Sequence, residues 1–298
     1  MSNLIKFIFE VIKRKVIIWH YNSIKITHQK SLFPYLKYND TITDAWYVFE
    51  DYEKNVNNFI DNYVERGYQD FFIDIGANIG LTTISNWEKF HNLYCFEPNE
   101  LVFNILKTNI AISCDQEKVK LFNVGLGLET GKYMLKIPKH NFGGAFIEEN
   151  NEYTNETLLE KESFEVEKDS NYINTEVNIE GKDFLNENVF NQFKVNDKGI
   201  IKIDVEGYEL QVLELILNTI NASKTVIIFE NWQDINRDLI EDMIKKNNFL
   251  SFKIGYIKWL SSFIEKIKLK SIYSDIIFLD DNESCIPKKC DVIIELEK

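Results

Sequence analysis

The side chains that could do chemistry in this chain are mostly carboxylates standing next to glycines. The stretch "FFIDIGANIGLTT", residues 71–83, ends an apolar run in Asp74 and follows it with Gly76, Ala77, Asn78 and Gly80. A buried strand, a small-residue turn and a helix start form a pocket for a nucleotide-like ligand at the carboxyl end of a sheet. The glycines let backbone approach that ligand, and helix N-terminal amides can serve a carboxylate or phosphate. "LYCFEPN" then delivers Glu97, about twenty residues beyond the turn, where a carboxylate accepts hydrogen bonds from two ribose hydroxyls and repels a 2′-phosphate. Pro98 presents a flat face there, and Asn99 is a good N-cap for the helix that follows.

Two later segments carry a second group of acids. "IKIDVEGYE" places Asp204 at a strand end, Glu206 in the turn and Gly207 at a tight entry to a helix. "TVIIFENW" ends in Glu230 and Asn231. Strand alternation puts Ile201 and Ile203 on one face, with Lys202 and Asp204 on the other. The expected catalytic residues are Asp204, Glu206 and Glu230, with Asp204 as a base or a metal ligand supported by Glu230. Asp204, Glu230 and Asn231 form an oxygen set that suits Mg²⁺ or Ca²⁺. The bland alternative for Asp204 and Glu206 is compensation of a helix N-terminus. His91 precedes a strand at its wrong end, and His140 is a weak candidate base before Gly143 and Gly144.

The motifs also exclude. G-x-G-x-x-G is not met, because Asn78 stands between Gly76 and Gly80, and no GK[ST] follows. A nucleoside cofactor without a bulky pyrophosphate remains. The net charge of -13, from 47 acidic against 34 basic residues, weighs against a nucleic-acid partner. Four cysteines without a CxxC pair, in 298 residues, form no disulfide framework and suggest a reducing, cytoplasmic compartment.

These residues need strands and helices in alternation to hold them. "FFIDI", "NLYCFE", "VKLFNV", "GIIKIDVE" and "KTVIIFE" read as strands, and "GKYMLKI", "FLSFKIGY" and "SDIIFLD" as additions, the final ones antiparallel. Helical segments lie between, so the fold class is α/β, a mostly parallel sheet with helices on both faces. Residues 1–66 read as an N-terminal helical or cap region, and 67–298 as the main domain with an acidic insertion near 138–175. That insertion holds nine carboxylates and two lysines between Glu148 and Asp169, and reads as a solvated segment or a flap over the site. The first 30 residues carry six Lys/Arg and one acid. They read as a helix packed on the main domain, with peripheral contact to an anionic membrane as the sharper reading.

Together "IDIGANIG", "CFEPN" and "IKIDVEGYELQVLE" resemble the FkbM-type S-adenosylmethionine-dependent methyltransferases, over roughly residues 70–235. The third motif, by its order and distance from the first, is the specific one. The resemblance implies a Rossmann-like class I fold with seven strands and O-methylation of a hydroxyl, on a sugar, a glycan or a secondary metabolite. It implies Asp74, Gly76, Ala77, Asn78 and Gly80 around the methionine part of the cofactor, Glu97 on the ribose, Pro98 and Asn99 bordering the adenine and Asn123 near its edge. Tyr208 and Trp232 would rim the acceptor. The rival readings are methylation of a lipid or polyketide-like hydroxyl, and a non-catalytic module that keeps the cofactor fold.

Overall fold

The computed structural model describes residues 53–139, 141–149, 151–153, 157–158, 171–222, 224–258, 276–280 and 283–298. The expected N-terminal helix with its membrane contact, His140 and most of the acidic insertion lie outside these residues. Among the described residues no helix is long and apolar enough to cross a membrane.

The first described helix, α1 (Lys54–Glu65), sets Val56, Phe59, Ile60 and Tyr63 on one stripe by their helical spacing. That stripe buries against β1 (Phe71–Ile75), a strand with no exposed residue. Next come α2 (Leu81–Asn86), β2 (Asn92–Phe96), α3 (Glu100–Ser113) and β3 (Val119–Phe122). Asn99 caps α3, its Oδ1 accepting from Leu101 N at 3.2 Å.

The chain then leaves the main sheet. β4 (Gly125–Leu126), β5 (Gly131–Pro138), β6 (Phe146–Ile147) and β7 (Tyr172–Glu180) form a separate four-stranded sheet in the order β4-β7-β5-β6. Part of the stretch expected to be a bare insertion is therefore sheet. In β5 and β7 alternate residues point inward, and Leu135, Ile137, Val177 and Ile179 join the core beneath. The outward residues of β7 are polar, which hides this strand in a reading by apolar runs.

After α4 (Lys182–Asn188) the chain returns to the main sheet through β8 (Lys198–Ile203), α5 (Glu209–Leu217) and β9 (Lys224–Asn231). Then follow β10 (Ile235–Asn236), α6 (Arg237–Lys245), β11 (Ser251–Lys258), β12 (Ile277–Phe278), β13 (Cys285–Ile286) and β14 (Cys290–Glu297). The main sheet runs β12-β11-β14-β9-β8-β1-β2-β3. Pairing is parallel from β3 through to β9, and antiparallel for β9 with β14, β14 with β11 and β11 with β12. The seven expected strands carry an eighth at the edge. "SDIIFLD" supplies only that two-residue edge strand, and the strand inserted beside β9 is "CDVIIELE".

Alternation along the central strands splits the interior in two. Ile73, Ile75, Ile201, Ile203, Ile227 and Phe229 face α4, α5, α6 and the second sheet. Phe72, Ile200, Val226 and Ile228 face α1, α2 and α3. Burying one such side chain contributes about 1.5–3 kcal/mol. The strand order turns back at β1, which has β2 on one side and β8 on the other. Ligands in open α/β sheets bind outside the carboxyl ends of the strands at such a reversal.

Candidate active site

A cavity of about 300 Å³ opens at that reversal. Three turns and a strand end build its floor, and the second sheet with the Phe142–Gly144 turn forms its apolar wall.

In the first turn Gly76 has φ 79°, and a Cβ there would stand 1.8 Å from the carbonyl oxygen of Asp204. Only glycine tolerates both the left-handed backbone and that approach. Gly76 N and Ala77 N both donate to Phe96 O, tying the turn to β2. Asn78 keeps its left-handed backbone at φ 52°, and its Oδ1 accepts from Ile79 N at 2.8 Å. Gly80 makes room for Leu106, which would lie 2.6 Å from an added Cβ.

Glu97 joins the first two turns. Its Oε2 accepts from Asn78 N at 3.0 Å, and its Oε1 accepts from Asn99 N at 2.8 Å. Each oxygen keeps a further lone pair. Burial pushes this carboxyl up to about 7, against the pull of the two amides. Asn123 spends its amide on the second turn, donating to Glu97 O at 2.8 Å and Pro98 O at 3.3 Å. Asp74 is fully buried behind the first turn, where its Oδ2 accepts from Thr83 Oγ1 at 2.7 Å. The cavity is lined by Gly76, Asn78, Glu97 and Pro98, while Ala77, Gly80, Asn99, Asn123 and Asp74 stand behind them.

The third turn follows β8. Asp204 N donates to Ile75 O at 2.9 Å, fixing the ends of β8 and β1 together. Glu206 is left-handed at φ 52°, and Asn151 donates to its carbonyl at 2.9 Å. The carboxylates of Asp204, Glu206 and Glu230 converge, with oxygens within 4.8 Å of one another. The N-terminus of α5 is served by another acid, Glu209, whose Oε2 accepts from Gly207 N at 2.9 Å. The helix-compensation reading of Asp204 and Glu206 thus passes to Glu209.

Asn231 does not join them. Strand alternation sends it to the other face of β9 from Glu230, where its Nδ2 donates to Pro287 O at 2.9 Å and its Oδ1 accepts from Gln233 N at 3.2 Å. The acid, acid, amide set for Mg²⁺ is therefore not assembled. Asp204 also carries a resident cation: Lys202 Nζ lies 2.9 Å from its Oδ2. The acids that do converge, Asp204, Glu206 and Glu230, form a group whose oxygens could hold a cation, with Lys202 on one oxygen of Asp204.

Lys202 and Glu53 are the site residues that sequence reasoning passed over. Lys202 is nearly buried, and its Nζ also approaches Glu53 Oε1 at 3.5 Å and Asp74 Oδ1 at 3.9 Å. Thr82 Oγ1 donates to Glu53 Oε2 at 2.7 Å. Burial pushes Glu53 up to about 7 despite Lys202, and burial raises Asp74 as well. The signal for Lys202 was its shared strand face with Asp204. Glu53 carried none, because its partners lie 29 or more residues away.

A Rossmann-like sheet with an antiparallel strand inserted beside β9, and a cavity at the carboxyl ends of β1, β2, β8 and β9, defines a class I methyltransferase. Residues 74–252 match the methyltransferase FkbM domain, and the chain belongs to that family. It is an S-adenosylmethionine-dependent methyltransferase. Methyltransferase sdnD of Sordaria araneosa is 26% identical over 191 residues, covering 60% of this chain and 73% of its own. Among solved structures, phosphoethanolamine N-methyltransferase 2 of Haemonchus contortus is similar at TM-score 0.42 and 10% identity, over 88% of this chain and 58% of that one. An O-methyltransferase of Bacillus cereus is similar at 0.38 and 12%, over 84% of each. The fold class rests on the strand order and the family, not on these two likenesses.

Proposed function

We propose that the chain methylates a hydroxyl group of a sugar or glycan. The observation that carries this reading is the convergence of Asp204, Glu206 and Glu230 at one end of the cavity, beside Tyr208. A hydroxyl is a weak nucleophile that needs a proton acceptor, and a polyol offers several donors to a cluster of carboxylates.

In this reading the cofactor lies along the first two turns. Gly76 and Asn78 meet its methionine part, the remaining lone pairs of Glu97 accept the ribose hydroxyls, and Pro98 with Leu126 and Ile179 borders the adenine. When bound, the cofactor supplies an electrophilic methyl on a sulfonium. The protein aligns the hydroxyl in line with it and removes the proton. Asp204 is the base. Lys202 is a positioning residue: it fixes the Asp204 carboxylate by a charge-assisted hydrogen bond and offsets the repulsion among its neighbours. The acidic charge of the chain weighs against nucleic acid as acceptor.

The apolar wall of Leu135, Phe142 and Ile147 favours a second reading, a lipid or polyketide-like acceptor. Labelled cofactor offered with sugar and polyketide hydroxyl panels separates the two. Asp204→Asn should lower turnover on the accepted panel by about 10²–10⁴-fold without changing affinity for S-adenosylhomocysteine. Wild-type turnover in that variant removes Asp204 from the chemistry. Micromolar binding of S-adenosylhomocysteine that is lost in Glu97→Ala supports the cofactor placement, and equal binding by both proteins overturns it.

A further inference from the structure

Glu53 stands at the N-cap position of α1 but does not cap it. Its backbone is left-handed, at φ 54° and ψ 48°, and its side chain makes no hydrogen bond to the first amides of the helix. N-cap residues are ordinarily extended, and the left-handed conformation is strained for a residue with a Cβ. The carboxylate lies instead between α2 and the end of β8. Its Oε2 accepts from Thr82 Oγ1 at 2.7 Å, and Lys202 Nζ stands 3.5 Å from its Oε1. That second separation is longer than a normal hydrogen bond, and Lys202 is held more closely by Asp204, at 2.9 Å.

Bracing α1 against α2 accounts for Oε2. It does not account for Oε1, on which no hydrogen bond falls among the described residues, nor for the space that Glu53 faces. Glu53 lines the main cavity together with Gly76, Asn78 and Asp204. The same four residues, with Thr82 and Lys202, line a side recess of about 10 Å³. A space of that size holds about one water-sized group.

We infer that Glu53 recognises the α-ammonium group of the cofactor's methionine part, seated in this recess with Glu53 Oε1 as its acceptor. The inference rests on the placement of the methionine part against Gly76 and Asn78. It adds a cofactor contact from a residue that precedes the FkbM domain at 74–252. An ammonium is close to water in size and carries three donors, and a carboxylate that receives one of them forms a charge-assisted hydrogen bond. Lys202 opposes a second cation, but its charge is shared by Asp204 at 2.9 Å and Asp74 at 3.9 Å. The methionine carboxylate meets Glu53 and Asp204 in the same corner and is turned outward by them.

The test titrates S-adenosylhomocysteine, and its analogue with hydrogen in place of the α-amino group, into the full chain by calorimetry. The wild type should bind S-adenosylhomocysteine at least about tenfold more tightly than the analogue, a preference of the size expected for one charge-assisted contact. Glu53→Gln keeps an oxygen for Thr82 and removes the charge. It should shrink the preference to about threefold or less by weakening S-adenosylhomocysteine alone, with the analogue bound as before. Glu53→Asp keeps the charge but falls short of the recess; it should shrink the preference in the same way and serves where Glu53→Gln does not fold. Equal binding of the two ligands by the wild type, or a full preference in the variants, overturns the assignment. Equal weakening of both ligands in the variants leaves Glu53 only as a brace between α1 and α2 and overturns it too. Failure of the wild type to bind S-adenosylhomocysteine at all is a separate result, which overturns the cofactor placement and the assignment with it.

Discussion

Replacing Gly76 by alanine tests the construction of the first turn, and Gly67 supplies its control. Both glycines are left-handed, at φ 79° and 87°. An added Cβ at Gly67 meets nothing within 4 Å, whereas at Gly76 it stands 1.8 Å from Asp204 O and 2.8 Å from Asp204 C. The left-handed backbone costs an L-residue about 1–2 kcal/mol at either position. At Gly76 the obstacle is backbone, held by the hydrogen bond from Asp204 N to Ile75 O, so the ends of β1 and β8 must part. Overpacking of that kind costs about 1–3 kcal/mol more. Urea unfolding of both variants, with calorimetric titration of S-adenosylhomocysteine, reads the difference. Gly67→Ala should lose about 1–2 kcal/mol and bind normally. Gly76→Ala should lose about 2–5 kcal/mol and bind at least about tenfold more weakly. Equal losses in the two variants would refute the account of β1 and β8 as rigidly joined at this point.

Affinity for S-adenosylhomocysteine should rise as pH rises through about 7, because ribose hydroxyls need the ionised Glu97, and calorimetry of Glu97→Gln should show a flat profile. For the empty protein the sign is opposite. Glu97 is raised from 4.5 to about 7 in the fold, so its contribution to stability is full below 4.5 and is lost as pH rises through 7; thermal unfolding across that range checks it. Lys202→Met leaves Asp204, Glu53 and Asp74 without their shared cation and should cost about 3–5 kcal/mol at pH 8 by urea unfolding. The cost should shrink at pH 5, where Glu53, raised to about 7, takes up a proton. With Asp204 acting as a base held by Lys202, exhaustive EDTA treatment should leave turnover unchanged; loss of activity restored by Mg²⁺ would show instead that Asp204, Glu206 and Glu230 hold an ion.

What could be read from the sequence was local in the chain. The turn after β1, the acid at the end of β2 and the acid at the end of β8 each lie within a few residues of the strand that presents them, so strand period and glycine spacing find them. The ion cluster was not local: Lys202 on β8 meets Glu53, which precedes α1 in a distant part of the chain, and periodicity carries no information about which faces approach. Asn231 failed for a simpler reason. It neighbours Glu230 in sequence, and in a strand neighbours point apart. β7 stayed hidden because its outer face is polar, and "CDVIIELE" because three acids interrupt a run whose other residues are almost all buried.

The insertion of β14 between β9 and β11 bears on how the protein is made. On the ribosome, β9 emerges long before the strand that covers its edge, and β11 emerges before β14, the strand that links it to β9. Until Cys290–Glu297 is available, the nascent sheet shows one unpaired edge along the eight residues of β9, most of which are buried in the finished fold. Exposed edges of that kind invite pairing with other chains. Completion of this enzyme's sheet thus waits for β14, and chaperone dependence during synthesis should concentrate in the interval between the emergence of β9 and that of β14.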